Sequence, residues 1–417
     1  MGQTMSEKIF SAKLGRKVSA GEYVTAKIDL AMVHEALSTS GEVLVKAGID
    51  RVWDAEKVVV ILDHYIPAPS EQMAVVHDQV RKLVERFKIA RFHDGRDGIC
   101  HQVMIESGYL RPGDLVVGAD SHTCTYGALG VASTGIGRTE MSYVLATGEL
   151  WFKVPTTVRV VMKGSLPPRV YVKDVSLAIA GRLGTEFAQY RAIEFAGELA
   201  KNLSISSRVV LSNMSVEFGA KFGLFEADDK TLSYLKSTGV EGAERLSADP
   251  DALYEQEHVI DAADLEPLLA APHSVDHVSP VREAKGRPIQ QAMLGSCTNG
   301  RIEDIRAAAE ILRGKKAAPS VRLLVYPASR KVLNESLHDG SMQTLLDAGA
   351  ILCAPSCGPC FGGYGGVLAP GETCISSTNR NFQGRMGSPE ANVYLASPAT
   401  VAASAWKGAI WDPREVD

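Results

Sequence analysis

Over the first third of the chain, short β-branched and aliphatic runs alternate with apolar positions at helical spacing, the pattern of strands and helices taken in turn. The run Val58-Val59-Val60-Ile61-Leu62 has strand length and no polar interruption, which predicts a strand buried on both faces. After it Val76, Val80, Leu83 and Phe87 recur at helical spacing and predict a crossover helix. A second strand is expected at Leu115-Val116-Val117. Such alternation predicts a parallel sheet covered by helices on both sides.

A stretch with prolines at 155, 167 and 168 reads as the passage into a second region. There the pattern predicts a helix with Asp174 as its N-cap and Val175, Ile179 and Leu183 on one face. It also predicts a strand over 208–211. From 228 to 285 the chain is polar and acidic with little periodicity, which reads as surface loops followed by a linker. A third region begins near Arg287, with strands expected at 292–294, 321–325, 350–352 and 373–376 and a helix at 302–312. The fold class is therefore α/β, with three α/β domains of mostly parallel sheets, at 1–160, 161–286 and 287–417. No residue-level internal repeat is visible.

Composition narrows the class of function. A chain of 417 residues exceeds what one core normally serves, in keeping with several domains. Its 45% hydrophobic and 22% charged residues are those of an ordinary globular protein. The net charge of −5 gives no electrostatic reason to expect nucleic acid or an anionic membrane as partner. Residues 1–8 lack the apolar segment of a secretory signal, and no run approaches the roughly 20 apolar residues of a membrane span. A cytoplasmic location is expected.

The chemistry is concentrated in a few motifs. Cys357-Gly358-Pro359-Cys360 and the upstream Gly295-Ser296-Cys297-Thr298-Asn299-Gly300 bring three thiols from two loops. Soft sulfur ligands on a tight Gly-Pro turn point to an iron–sulfur cluster with one iron not bound by cysteine. Taken alone, a C-x-x-C pair also fits a zinc knuckle or a redox dithiol. Structural zinc, however, needs a fourth ligand and usually a second close pair, which the chain lacks. Seven cysteines, an odd number, argue against a disulfide framework.

The polar motifs follow expected strands. Asp63-His64 and Gly118-Ala119-Asp120-Ser121-His122 follow the first two, Cys297 and Cys357 follow strands of the last region, and Asn379-Arg380-Asn381 follows 373–376. In parallel sheets, ligands gather beyond the carboxyl ends of strands. Each motif also has a local reading. Asp63-His64 and Asp120-Ser121-His122 fit helix caps and turns, and His101 fits a satisfied core histidine. Glu217 lies among apolar neighbours and needs a partner if buried. Arg380 and Arg385 fit either solvated loop arginines or a carboxylate clamp. Gly362-Gly363-Tyr364-Gly365-Gly366 lacks the Lys-Ser/Thr of a P-loop and reads as close backbone packing.

As a set, Asp120-Ser121-His122-Thr123, Gly295-Ser296-Cys297-Thr298-Asn299, Cys357-Gly358-Pro359-Cys360 and Asn379-Arg380-Asn381-Phe382-Gln383-Gly384-Arg385 resemble the signatures of the aconitase superfamily. The chain length, with Gly98-Ile99-Cys100-His101-Gln102 and Asn213-Met214-Ser215-Val216-Glu217, is most similar to the large subunits of 3-isopropylmalate dehydratases, in the short form typical of archaea, and of homoaconitases. The resemblance implies three domains around a central cluster cleft, with Cys297, Cys357 and Cys360 holding one 4Fe-4S cluster per chain. It implies that His64, paired with Asp63, protonates the departing hydroxyl, and that Asp120 and His101 pair. With His122 and Glu217 these would position water and hydroxyl. Ser121, Arg380 and Arg385 would hold substrate carboxylates, supported by Asn379. Cys100, Cys124, Cys353 and Cys374 would be non-ligands, and Asp29 falls roughly where aconitases keep a substrate-contacting glutamine.

The implied activity is a hydro-lyase interconverting 2-isopropylmalate and 3-isopropylmalate, as in leucine biosynthesis. Alternatives are homoaconitase chemistry in lysine biosynthesis and hydration of small alkyl-malates such as citramalate, dimethylmalate or malate. More remote are a non-catalytic binding module and a zinc-stabilised scaffold. The family's serine base lies in a Gly-Ser-Ser-Arg-type loop that this chain lacks. After Arg385 only Met386-Gly387-Ser388-Pro389 and a short tail follow to Asp417. The expected partner is thus a small subunit carrying the serine and further carboxylate-binding arginines. Tyr364 stands where related large subunits often carry histidine.

Overall fold

The apolar run at 58–62 becomes the strand Val58–Ile61, and its alternate residues enter two different cores. Val58, Val60 and Leu62 pack with Leu83 and Phe87, while Val59 and Ile61 pack with Met104 and Tyr126. Burial on both faces explains why the strand shows no polar alternation. The computed structural model, which describes residues 2–416, places this strand in a five-stranded parallel sheet. Its order is Arg91–His93, Val58–Ile61, Leu30–Val33, Leu115–Gly118, Ala132–Gly135. The helix Glu71–Phe87 is the expected crossover, capped by Ser70, whose hydroxyl accepts from Met73 N at 3.3 Å. A small antiparallel pair, Tyr23–Lys27 with Glu149–Lys153, flanks this sheet.

The second sheet is four-stranded and parallel, in the order Phe222–Phe225, Ala192–Ala196, Thr157–Lys163, Gln256–Asp261. Several expectations fail here. Residues 208–211 are not a strand but lie in the helix Ile205–Met214, capped by Ser204. This helix is buried on almost every side from Arg208 to Ser215, so it has no polar stripe to reveal its period. Asp174 is not an N-cap; that position is Tyr171, and Asp174 sits in the first turn of the helix Val172–Leu183. Its carboxylate accepts from Tyr171 N at 2.8 Å and from Leu268 N at 2.9 Å, tying helix to strand. The region 228–285 is not loop and linker. It contains the helix Asp229–Ser237 and three strands, and the largely exposed edge strand Gln256–Asp261 explains its polar composition.

The third sheet has seven strands, in the order Val278–Pro280, Leu268–Ala270, Asn392–Ala396, Thr373–Ser376, Gln291–Gly295, Arg322–Tyr326, Ile351–Leu352. The last five are mutually parallel, and the first two are antiparallel additions at one edge. The helix Ile302–Leu312 falls where expected. Sheet membership cuts across the division made from sequence: Thr157–Lys163 spans 160, and the strands at 268–270 and 278–280 join the third sheet. Residues 1 and 417 of that division lie outside the described residues. Among the described residues no helix is long and apolar enough to cross a membrane.

The first and third sheets meet where Gly98 pairs with Ser329. Ile99 N donates to Ala328 O at 2.9 Å and Arg330 N donates to Asp97 O at 2.8 Å. Gly98 has φ +133°, and a Cβ there would lie 2.5 Å from Ser329 Cα, so glycine is required on both counts. Gly98→Ala is expected to cost roughly 2 kcal/mol or more, read as a lowered urea midpoint of the whole chain.

Glu194, in the middle of the second sheet, is 3% exposed and accepts from Met5 N at 2.7 Å and from the Tyr254 hydroxyl at 2.9 Å. Burial raises its carboxyl from 4.5 to about 7. Between those values the folded chain holds a proton that the unfolded chain has lost, so this group's contribution to stability falls as pH rises through that window. Glu194→Gln stays neutral throughout. Its urea midpoint should therefore gain on wild type from pH 5 to pH 8, by the equivalent of up to about 3 kcal/mol.

Candidate active site

Carboxyl ends of strands from the first and third sheets converge on one polar cleft. Asp63-His64 follows Val58–Ile61, Asp120 follows Leu115–Gly118, Cys297 follows Gln291–Gly295, Cys357 follows Ile351–Leu352, and Asn379-Arg380 follows Thr373–Ser376. Glu217 enters from the second region on the single turn Ser215–Phe218.

Cys297 is aimed by an unusual backbone turn, with φ +135° at Gly295 and +84° at Ser296. A Cβ at Gly295 would lie 2.1 Å from Tyr326 O, which excludes other residues there. Tyr326 organises the other cysteine loop as well. Gly358, with φ +54°, lies against its ring, and its hydroxyl donates to Gly365 O. In the glycine-rich stretch 362–366, Gly365 packs against the same tyrosine, Gly362 against Arg385 O, Gly363 against Phe361 and Gly366 against Leu324, so the stretch is close backbone packing. Tyr364 reaches across to bond Ser356 Oγ and Ile66 O, joining the cysteine loop to the segment after His64.

None of the seven cysteines is disulfide-bonded. Cys100, Cys124 and Cys374 are buried, whereas Cys353 is half-exposed. Two of the other three meet at one amide, and the third packs beside Cys297. Asn379 Nδ2 donates to Cys297 Sγ at 3.3 Å, and Asn379 Oδ1 lies 3.5 Å from Cys360 Sγ. Asn213 Nδ2 makes a second 3.3 Å approach to Cys297 Sγ. Cys357 packs with Cys297, Ile99 and Ala328. Burial, reinforced by Cys360 and Asp120, pushes the Cys297 thiol up to about 12, and burial with Asp63 pushes Cys357 well above its ordinary value. Three desolvated thiols, one of them facing two amide N–H donors, form a site that becomes anionic only with a cation, as a metal–thiolate centre provides. The residues fit an iron–sulfur cluster.

Beside the thiols stand the titratable pairs. His64 Nδ1 is 2.7 Å from Asp63 Oδ1, while Asp63 Oδ2 accepts from Cys100 N at 2.7 Å and lies 3.8 Å from Cys357 Sγ. Ligand-type atoms of Asp63, His64 and Cys357 lie within 4.8 Å of one another. Asp120 Oδ1 is 2.8 Å from His101 Nε2 and accepts from His122 N at 2.8 Å, and Asp120 Oδ2 is 3.5 Å from His64 Nε2. His101 also meets the Tyr126 hydroxyl at 3.2 Å. Burial opposes charge on both groups. Even so, Asp63, Asp120 and Glu35 hold the His64 imidazole well above its usual value, and His101, His122 and His64 hold Asp120 well below.

A third group faces these. Glu217 Oε1 is 3.0 Å from His122 Nε2 and 2.6 Å from Arg380 Nε. Despite burial, His122 and Arg380 keep its carboxyl below the ordinary range. Arg380 Nη1 donates to Ser121 Oγ at 3.1 Å, which places Ser121 beside the same guanidinium. Arg385 is half-buried, and its buried Nε has no hydrogen-bond partner among the described residues. Twelve of the thirteen candidate residues thus border this cleft or its immediate support; Arg385 follows on the loop after Arg380, with its backbone carbonyl against Gly362 of the cysteine loop.

Asp29 does not. It lies at the amino end of Leu30–Val33, the far end of the sheet, where it accepts from Leu115 N at 2.7 Å and pairs with Lys13 at 2.6 Å. The residues missed are at the other end of that strand. His34 stacks on His64 with ring centroids 4.4 Å apart, and its Nε2 lies 3.0 Å from Ala119 O. Glu35, 6% exposed, accepts from His64 N at 3.1 Å and from Tyr65 N at 3.3 Å, and its carboxylate lies 3.5 Å from both His34 and His77. The signal was present, because His34-Glu35 follows an apolar strand as Asp63-His64 does.

Comparisons with known proteins give the family. The model of the aconitase family (aconitate hydratase) matches residues 7–288 and 282–408. The chain is 52% identical over 416 residues to 3-isopropylmalate dehydratase large subunit 1 of Methanopyrus kandleri, covering 99% of each. It is 45% identical over 423 residues to the 3-isopropylmalate dehydratase large subunit of Aquifex aeolicus, covering 100% of this chain and 98% of that one. It is 46% identical over 392 residues to a probable methanogen homoaconitase large subunit of Methanosarcina mazei, covering 94% and 100%. The crystal structure of Thermococcus kodakaraensis aconitase X superposes with a TM-score of 0.53 at 14% identity, over 93% of this chain and 94% of that one, a likeness of fold. With the family model spanning most of its length and relatives near 50% identity end to end, the chain belongs to the aconitase family.

Proposed function

We propose that this chain is the cluster-bearing large subunit of a hydro-lyase that interconverts 2-isopropylmalate and 3-isopropylmalate by dehydration and rehydration. The observation that carries the reading is the convergence of Cys297, Cys357 and Cys360 beside the Asp63–His64 pair. Substrate choice rests on the relatives: those named 3-isopropylmalate dehydratase reach 52 and 51% identity, those named homoaconitase 46 and 44%. A homoaconitase-type diacid is therefore the second reading.

Hydroxide is a poor leaving group, so dehydration of a 2-hydroxy acid needs a Lewis acid on the oxygen and a proton donor near it. Bound by Cys297, Cys357 and Cys360, a 4Fe-4S cluster would supply that Lewis acid through the iron that no cysteine ligates. His64, kept protonated by its carboxylate neighbours, delivers the proton from Nε2 to the departing hydroxyl. Asp63 fixes the ring through Nδ1. Asp120 orients His101 and the backbone of His122, and His122 with Glu217 holds water and hydroxyl in place. Arg380 and Arg385, with Ser121, grip the substrate carboxylates, and Asn379 supports them from the turn. Glu217 fixes the Arg380 fork from behind. The relatives are named large subunits, which supports a small-subunit partner. We assign to that partner the serine base that removes the proton on the opposite face, along with further arginines and contacts to the alkyl arm.

Anaerobic reconstitution with iron and sulfide, followed by iron and labile-sulfide counting, tests the site. Wild type should hold one cluster per chain, and Cys360→Ser should lose or damage it. A chain that stays colourless, or holds zinc instead, would sink the reading. With its small subunit, the loaded enzyme should hydrate the isopropylmalate-derived alkene diacid in preference to homoaconitate. His64→Gln should lower kcat by about 10²–10⁴ with iron content unchanged.

A further inference from the structure

Lys173 stands in the first turn of the helix Val172–Leu183 and is 0% exposed. Its ammonium donates to Thr378 O and lies 3.7 Å from Met214 Sδ. Among the described residues no carboxylate is within ion-pair distance of it. A buried ammonium whose neighbours are a carbonyl and a thioether costs several kcal/mol unless some anion balances it.

Both neighbours lead to the same sulfur. Thr378 precedes Asn379, and Met214 follows Asn213; the side-chain amides of those two asparagines each donate to Cys297 Sγ at 3.3 Å. Asn379 also touches Cys360 Sγ at 3.5 Å and Thr298 Oγ1 at 2.9 Å. The cation is therefore lodged directly behind the amide layer that faces the thiols, in a region where every group named is buried and screening by water is weak.

We infer that Lys173 is the built-in counter-charge of the thiolate centre: its ammonium, fixed behind Asn213 and Asn379, offsets the negative charge that Cys297, Cys357 and Cys360 carry once a cluster is bound. The inference rests on the cluster reading above. It makes Lys173 a positioning and electrostatic residue that touches neither substrate nor iron. Loading and the lysine then stabilise each other, and the lysine favours the more negative, reduced state of the cluster.

Lys173→Met removes the charge at nearly constant volume, and Lys173→Gln removes it while keeping an N–H donor for Thr378 O; if the first does not fold, the second carries the measurement. The full chain is purified anaerobically, and three quantities are compared with wild type: thermal midpoint without and with reconstituted cluster, iron loss to a chelator, and cluster reduction potential. The apo variant should be at least as stable as apo wild type. The stabilisation gained on loading should shrink, iron should be lost about tenfold or more readily, and the potential should move to more negative values. Equal destabilisation of apo and loaded forms with an unchanged potential would overturn the inference and leave the lysine a brace for Thr378. A wild-type chain that takes up no iron would overturn the cluster reading, and with it this inference.

Discussion

Charge withdrawn from water is the constraint around which this molecule is built. Asp63, Asp120, Glu35 and Glu217 are all largely buried, and none is left to itself: each faces at least one histidine, arginine or backbone N–H at close range. A buried carboxylate without partners would take up a proton or unfold the region around it. Here the partners are other side chains of the same cleft, so the groups that cost most to bury hold one another in place. Asp120 shows the economy of the arrangement. One carboxylate fixes His101, the backbone of His122 and the outer nitrogen of His64, three elements that have no other reason to share a geometry.

The fold supplies the meeting place. Parallel strands end in the same direction, so the loops at the carboxyl ends of two sheets reach one cleft without long excursions of chain. The first sheet contributes the histidine–carboxylate pairs and the third the thiols and arginines. Contacts such as Gly98 against Ser329, where no side chain fits, set how closely the two approach. The helix Ile205–Met214, buried on nearly all sides, brings Asn213 to the sulfur of Cys297 and is followed by the turn that carries Glu217. That intervening layer links the second sheet to a site made mainly by the other two.

Much of this was legible in the sequence, for reasons that differ between fold and site. Val58–Ile61, Glu71–Phe87 and Ile302–Leu312 declared themselves because length, period and composition agreed. Residues 208–211 read as a strand because a helix buried all round has no polar stripe, and Val209 and Val210 are β-branched. The exposed edge strand Gln256–Asp261 hid for the opposite reason, its side chains looking like those of a loop. Within the site, motifs made of rare residue types stood out. Glu35 did not, since a single glutamate after a strand looks like a helix cap until three histidines are found around it. Lys173 was equally silent, because nothing in the sequence tells a buried lysine from a solvated one.

The two walls of the cleft differ in how tightly they are held, and this difference bears on which part of a substrate each can read. Around His64 the walls are stiff. His34 stacks on one side of the ring, Phe361 meets it edge-on at 5.0 Å, Tyr65 packs against Phe361, and Tyr364 ties that cluster back to Ile66. Such a wall holds the His64 ring in one orientation, as the proton transfer proposed for it would need. The arginine wall is more open. Phe382, 44% exposed, lies 5.9 Å from the Arg380 guanidinium, and Arg385 keeps an unpaired Nε. On the function proposed above, the hydroxyl and carboxylates common to 2-hydroxy diacids would be matched by charges whose positions the buried network dictates. The variable arm has no comparably fixed surface to meet among these residues. On that proposal, discrimination between arms would fall to whatever covers the open side, and the chemistry to the more tightly packed wall.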